Sequence, residues 1–241
     1  MIEWKHLTDH EIDALDRRLP VIVPVGLVEA HGPHLAVSVD MDTAEYFARE
    51  IADRSGAVVA PTIAYGFADE MAGYPGTIGV RAQTLIAVAR DIAEILCAHG
   101  FQRIVFLSGH GANRGPIELS FWEVWQRYPD ARLAYWNWWT EGGVSSVHHA
   151  DEHETGVALA VGTTAYMERV QDFTVEKPWY KLRSRHALDA LSGGINGTPS
   201  RATHGAGETL RDEIVETLSR RMQSIVQGET TDHDTDNAHQ K

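Results

Sequence analysis

Four short runs rich in β-branched or, in the last, aromatic residues recur along this 241-residue chain, and amphipathic stretches of helical period follow them. The runs are Val21–Gly26, Val58–Ile63, Arg103–Ser108 and Arg132–Trp138. Each has the length and character of a buried strand, and none alternates polar with apolar as a half-solvated strand would. Thr43–Ser55 carries Ala44, Phe47, Ala48 and Ile51 at helical spacing and stops at Gly56. Thr84–His99 repeats the pattern with Leu85, Val88, Ile92, Ile95 and Leu96, and Gly100 follows as a C-cap. Pro116–Tyr128, Glu154–Tyr166 and Glu208–Val226 are the other predicted helices. Strands that alternate with helices must pair in parallel, because a crossover helix returns the chain to the same edge. The expectation is therefore an α/β chain: a single-domain layered fold with a mostly parallel sheet flanked by helices.

That domain is expected over residues 1–227. An apolar content of 43% is enough for its core. The polar stretch 228–241, "GETTDHDTDNAHQK", reads as a disordered tail whose His233 and His239 are solvated. Residues 170–201 read as a long irregular loop. The formal net charge of −13 argues against a broad phosphate-binding surface, so no nucleic-acid partner is expected. The start "MIEWKHLTDHEID" has no apolar leader and no run reaches membrane-spanning length, which predicts a cytoplasmic protein without a membrane partner. The one cysteine, Cys97, sits in an apolar helical pattern and reads as a small buried side chain.

In parallel sheets, ligands bind beyond the carboxyl ends of the strands. Three polar clusters fall there: "EAHGPH" after the first run, "GHGAN" after the third, and "HHADEHE" in the connection after the fourth. Glu29 and His31 stand in the first cluster. Asp40 and Asp42 follow just before a predicted helix. Asp42 is placed to cap that helix, which leaves Asp40 as the better ligand candidate. His110 sits at the tip of a glycine-rich turn. Glu154 lies in the first turn of a helix starting near Asp151, where acidic residues also serve the helix dipole. Such a mixed nitrogen and oxygen donor set suits Zn²⁺, Mn²⁺ or Fe²⁺ better than Ca²⁺ or Mg²⁺. Two such ions bridged by a carboxylate would generate a hydroxide at neutral pH and polarise a carbonyl. No G-x-S-x-G, G-x-G-x-x-G or P-loop pattern is present, and Cys97 has only apolar neighbours, so serine, nucleotide and thiol chemistry have no motif. Trp136 and Trp138 would share one face of a strand and Trp139 the other, where aromatics are more often core or subunit contacts than substrate platforms.

These residues resemble the creatinine amidohydrolase (creatininase) family. "PVGLVEAHGPHLAVSVD" resembles its signature PxGSxEQHGPHLPxxTD, "YPGTIGV" its FPGT segment, "LSGHGAN" its NGHGGN, "HADEHETG" its HAGxxETS, and "SRATHGAGE" loosely its ATAxxG element. The matches run in family order over about residues 4–215. The resemblance implies a layered fold with a dinuclear centre that hydrolyses C–N amide bonds. Glu29, Asp40 and His110 would hold one metal ion, and His31, Asp40 and Glu154 the other, with Asp40 as the bridge. His149 would be the catalytic proton carrier and Trp136 a substrate-binding aromatic. A homo-oligomer, possibly a hexamer in this family, is implied as well. Creatininases proper have a glutamate where this chain has Ala112 and a tryptophan where it has Ser145. The resemblance is therefore to the GHGGN-type branch, whose members hydrolyse formamides or trim the mycofactocin precursor peptide. Ala30 replaces a glutamine and Gly156 a serine beside ligands, and His34 matches a motif position without an assigned role. The expected activity is metal-dependent hydrolysis of a small amide substrate, a formamide, cyclic amide or similar. The alternatives are creatinine itself, a peptide bond, or a non-catalytic binding protein on the same scaffold.

Overall fold

In the computed structural model, which describes residues 1–68, 70–174 and 194–228, five parallel strands form one sheet. They are β1 (Ile2–Glu3), β2 (Val21–Val25), β3 (Val58–Val59), β4 (Arg103–Ser108) and β5 (Arg132–Asn137), in the order β1-β3-β2-β4-β5. Six α-helices accompany them among the described residues: α1 (Asp9–Asp13), α2 (Val39–Ser55), α3 (Ala82–Ala98), α4 (Arg114–Arg127), α5 (Glu152–Val161) and α6 (His204–Gln227). The α/β layered fold expected from the alternation is the fold observed.

Strand side chains alternate between two apolar layers, as the pleat requires. Val21, Val23, Val25, Ile104, Phe106 and Tyr135 face α3 and α4. Ile22, Val105, Leu107 and Trp136 face the other way, against Phe47 and Ile51 of α2, Val157 of α5 and Leu218 of α6. Burial on both faces explains why these strands read as continuous apolar runs.

Differences from the sequence reading lie at element ends. Helix α2 begins at Val39, not Thr43, because Val39 joins the inward stripe with Ala44, Phe47 and Ile51. The capping position is Ser38, so Asp42 is not the cap; its carboxylate accepts hydrogen bonds from the Ser38 and Thr163 hydroxyls at 2.8 and 3.0 Å. Helix α5 runs from Glu152 and stops at Val161, earlier than Tyr166, because Gly162 takes a left-handed φ of 86°. The second strand pairs only at Val58 and Val59, after which Ile63 makes a single bridge to Val25. Helix α4 starts at Arg114, with Pro116 tolerated in its first turn. Strand β1 and helix α1 escape the sequence reading because two and five residues show no period. Of the irregular 170–201 stretch, residues 175–193 lie outside the described residues, as does the expected tail from 229 onward. No helix among the described residues is long and apolar enough to cross a membrane.

The chain leaves β2 toward β3 on one side, then crosses through α3 to β4 on the other side. The carboxyl ends of β2 and β4 therefore flank the point where the winding reverses, which is where such sheets open a crevice.

Candidate metal centre

Beyond β2, residues 26–38 form a loop that closes on itself through the Glu29 amide and Val37 carbonyl, 3.0 Å apart. It carries Glu29 and His31 inward, 1% and 0% exposed. Helix α2 then brings Asp40 to the same spot in its first turn. This requires β4 to pass very close. A Cβ on Gly109 would collide with the Asp40 carbonyl oxygen, so only glycine fits between His110 and the strand. His110 follows directly, and Glu154 enters from the first turn of α5.

The five side chains converge. Nε2 of His31 lies 3.3 Å from Oδ1 of Asp40 and 3.5 Å from Oε2 of Glu154. Nδ1 of His110 lies 3.0 Å from Oε2 of Glu29 and 3.4 Å from Oδ2 of Asp40. Glu29, Asp40 and His110 form one group whose donor atoms lie within 4.8 Å of one another, and His31, Asp40 and Glu154 form a second. Asp40 belongs to both. His149 forms a third group with Glu29 and His31, its ring centroid 4.4 Å from that of His31.

Three carboxylates gathered in a buried space carry a large desolvation penalty. Yet both Oε atoms of Glu29, Oδ2 of Asp40, and Nε2 of His31 and of His110 lack a well-formed hydrogen bond. Buried polar atoms in folded proteins are otherwise almost always bonded. Without a metal ion, protons on the facing imidazoles offset part of that charge. Burial alone would lower the His31 pKa, but the carboxylates of Glu154 and Asp40 outweigh it and hold the imidazole well above its usual range. His110 is raised in the same way, against burial, by Glu29 and Asp40. The Asp40 carboxyl is correspondingly depressed: burial would raise it, and the facing imidazoles of His31 and His110 prevail. Glu154 is lowered against burial by His31.

Surrounding bonds fix which nitrogen faces inward. Nδ1 of His31 lies 3.1 Å from the Glu29 carbonyl, which can only accept, so this nitrogen bears hydrogen and Nε2 is the one offered to the centre. Nε2 of His149 lies 2.8 Å from the Ala30 carbonyl, which by the same reasoning leaves Nδ1 as the basic atom, 3.9 Å from Oε2 of Glu29. His149 is aimed by Ala150, whose positive φ of 51° is unusual for a residue with a side chain. That turn presents the Ala150 amide to Oε2 of Glu154 at 2.5 Å, while Asp151 caps α5 by accepting from the amides of His153 and Glu154.

Several supporting residues escape the sequence reading. Ser108 exchanges two hydrogen bonds with the backbone of His110, at 2.9 and 3.0 Å, and the Tyr135 hydroxyl donates to the His110 carbonyl at 3.1 Å. Asn113 accepts from the Phe67 amide at 2.8 Å and donates to the Gly26 carbonyl at 3.3 Å, tying three loops together. Asn113 has a visible signal, an amide side chain in a glycine-rich turn after a strand; Ser108 and Tyr135 have none. Trp136 is 8% exposed and packs in the apolar layer with Trp138. The Trp139 ring lies beside Gly111, the residue after His110. Helices α5 and α6 pack tightly at Gly156, where a Cβ on Gly207 would collide with the Gly156 carbonyl oxygen.

Residues 5–222 match the sequence profile of Creatininase, described as creatinine amidohydrolase. The mycofactocin precursor peptide peptidase of Mycolicibacterium smegmatis is 30% identical over 224 residues, covering 84% of this chain and 83% of that protein. The creatinine amidohydrolase of Pseudomonas putida is 28% identical over 167 residues, 58% of this chain and 64% of that one. Among solved structures, "Creatininase Mn" superposes with a TM-score of 0.83 at 23% identity, covering 92% of this chain and 98% of that one.

Proposed function

This chain belongs to the creatinine amidohydrolase family, and from that premise we propose that it hydrolyses a C–N amide bond at a centre of two divalent metal ions. The observation that carries the proposal is the donor set itself. Five buried side chains turn nitrogen and oxygen atoms toward one another, and Oε2 of Glu29, Oδ2 of Asp40 and Nε2 of His31 are buried there without a hydrogen-bond partner.

Glu29, Asp40 and His110 would hold one ion, and His31, Asp40 and Glu154 the second. Imidazole with carboxylate suits zinc or manganese, and the manganese named for one solved relative supports that choice. Bound there, such ions supply Lewis acidity toward a carbonyl oxygen and lower the pKa of water. The chain's own residues do the rest. His149, its Nε2–H held by the Ala30 carbonyl, keeps a basic Nδ1 facing the centre, where it can take a proton and return it to a departing nitrogen. Ala150 and Asp151 hold His149 and Glu154 in register. Burial of Glu29, His31 and Asp40 excludes bulk water from the ligands.

The substrate we propose is a formamide or peptide amide. Two features support that over creatinine. Ala112 and Ser145 stand where creatininases proper have a glutamate and a tryptophan, and the peptidase relative matches over more of the chain than the creatinine amidohydrolase does. Trp136 as a substrate contact rests on the resemblance, since its ring packs in the core. A cytoplasmic homo-oligomer completes the proposal on the same footing.

Metal content per chain, measured by elemental mass spectrometry, tests the centre, and a screen of formamides, lactams and short peptides tests the activity. About two equivalents of zinc or manganese with turnover of an amide is the expected result. Metal-free protein that takes up no ion on incubation would instead assign the chain a binding role on an enzyme scaffold.

A further inference from the structure

We propose that His34 is a positioning residue that sets the second metal group, by locking the loop that carries His31 to the helix that carries Glu154. The proposal rests on the dinuclear reading above and assigns a role within it.

The two ligands reach the centre by different routes. His31 comes from the loop after β2, and Glu154 from the first turn of α5. They lie 123 positions apart in sequence, yet their reacting atoms must stay within a few tenths of an ångström of a fixed separation, here 3.5 Å. His34 spans that gap. It is fully buried, and its Nε2 meets the hydroxyl of Thr155, the residue after Glu154, at 3.1 Å. Thr155 is equally buried. The other side of His34 is sewn down as well. Its carbonyl accepts from the Tyr166 amide at 2.7 Å, the Ala36 amide donates to the Thr164 carbonyl at 2.9 Å, and Leu35 bridges Ala165. So residues 34–36 grip the chain just beyond α5 through backbone, while His34 grips the start of α5 through its side chain.

Burial, followed by the neighbouring His31, lowers the His34 pKa to about 4, so the ring is neutral near pH 7 and suits a hydrogen bond to a hydroxyl rather than an ion pair. The remaining nitrogen, Nδ1, is buried without a partner. His34 belongs to none of the groups of donor atoms that converge among the described residues. His34 thus stands outside the donor set, while its bond to Thr155 ties together the two segments that carry His31 and Glu154.

The test is a zinc titration of chelator-treated protein by calorimetry, with elemental analysis of the saturated product. Glu154→Gln identifies the isotherm of the second ion, because it removes a ligand of that group alone. His34→Ala should weaken the second ion by about 10- to 100-fold, the range for residues that orient metal ligands, and leave the first ion unchanged. His34→Gln, which can keep a donor near the Nε2 position, should restore most of the loss. Thr155→Val should reproduce it, and adding Thr155→Val to His34→Ala should change nothing further. Wild-type second-ion affinity in a folded His34→Ala overturns the assignment, as does equal weakening of both ions. Wild-type protein that binds fewer than two ions overturns the dinuclear reading and this inference together.

Discussion

Asp40 and Asp42 stand two residues apart on the first turns of α2, and they meet opposite fates. Asp40 points into the sheet's crevice, 1% exposed, among two imidazoles and two further carboxylates, with Oδ2 lacking a hydrogen bond. Asp42 points to the outer face, where it accepts from two hydroxyls. That face is also strongly acidic. Asp42, Glu45, Glu50 and Asp53 line a cleft of about 660 Å³ together with Tyr46 and Arg49. Its carboxylates are nonetheless occupied. Glu45 accepts from the Thr62 hydroxyl at 2.7 Å and pairs with Arg49 at 3.5 Å, and Glu50 pairs with Arg54 at 3.9 Å. Negative charge is common to both faces of one helix. What separates them is burial combined with missing donors, which only one face has.

The most severe way to break this comparison is to change the two aspartates separately. Asp40→Asn removes a ligand common to both metal groups. Both ions should be lost, with affinity down by more than the roughly 100-fold that outer-shell changes produce, and amide turnover should go with them. Retention of about two ions per chain, read by elemental mass spectrometry, would show that Asp40 is no bridge.

A second prediction uses pH to sharpen the contrast. In metal-free protein, His31 and His110 have pKa values raised above those of an unfolded chain. Their pairing with the carboxylates therefore stabilises the fold fully below about pH 6.5 and fades as pH rises through the folded values. Metal requires the deprotonated imidazoles, so stabilisation by metal grows over the same interval. The melting temperatures of loaded and chelated protein should thus diverge as pH rises above about 6.5, the chelated form falling. Parallel curves would mean that the two histidines are not the groups exchanged for metal. The outer-face carboxylates have no buried imidazole partners and should leave this divergence untouched.

How much of this is legible in the sequence follows the same division. Strands β2, β4 and β5 are readable because burial on both faces forces a continuous apolar run. The five candidate ligands are readable because each is an ionisable residue beside a strand end or helix start, at the carboxyl edge where parallel sheets bind ligands. The fate of Asp42 is not. As a helix-start aspartate it looks like a cap, and only the inward turn of Val39 moves the helix boundary back and puts Ser38 in that place. The role of Gly109 is equally hidden, since its need for glycine comes from the Asp40 carbonyl, 69 positions away. His34 and Thr155 are a third case, a hydrogen bond across 121 positions that no local pattern announces. Periodicity reports burial, whereas contacts between remote segments depend on how the layers pack.

The smallest expected effect is the most discriminating for the comparison. Asp42→Asn removes charge but keeps a side-chain oxygen able to accept from Ser38 and Thr163, and Asp42→Ala removes both bonds. Neutral hydrogen bonds of this kind contribute about 1 kcal/mol each, with charged acceptors somewhat more. Asp42→Ala should therefore destabilise the protein by about 2 kcal/mol and Asp42→Asn by less, as measured by urea unfolding. Thr163 sits just past the end of α5, so Asp42 joins the start of α2 to the far end of the helix that carries Glu154. If that link merely holds the layers together, both variants keep about two ions. Loss of the second ion in Asp42→Ala, with the first retained, would instead show that the second group is tuned from both ends of α5. The outer face would then be part of the site's support, and the contrast between the two aspartates would become one between ligand and scaffold.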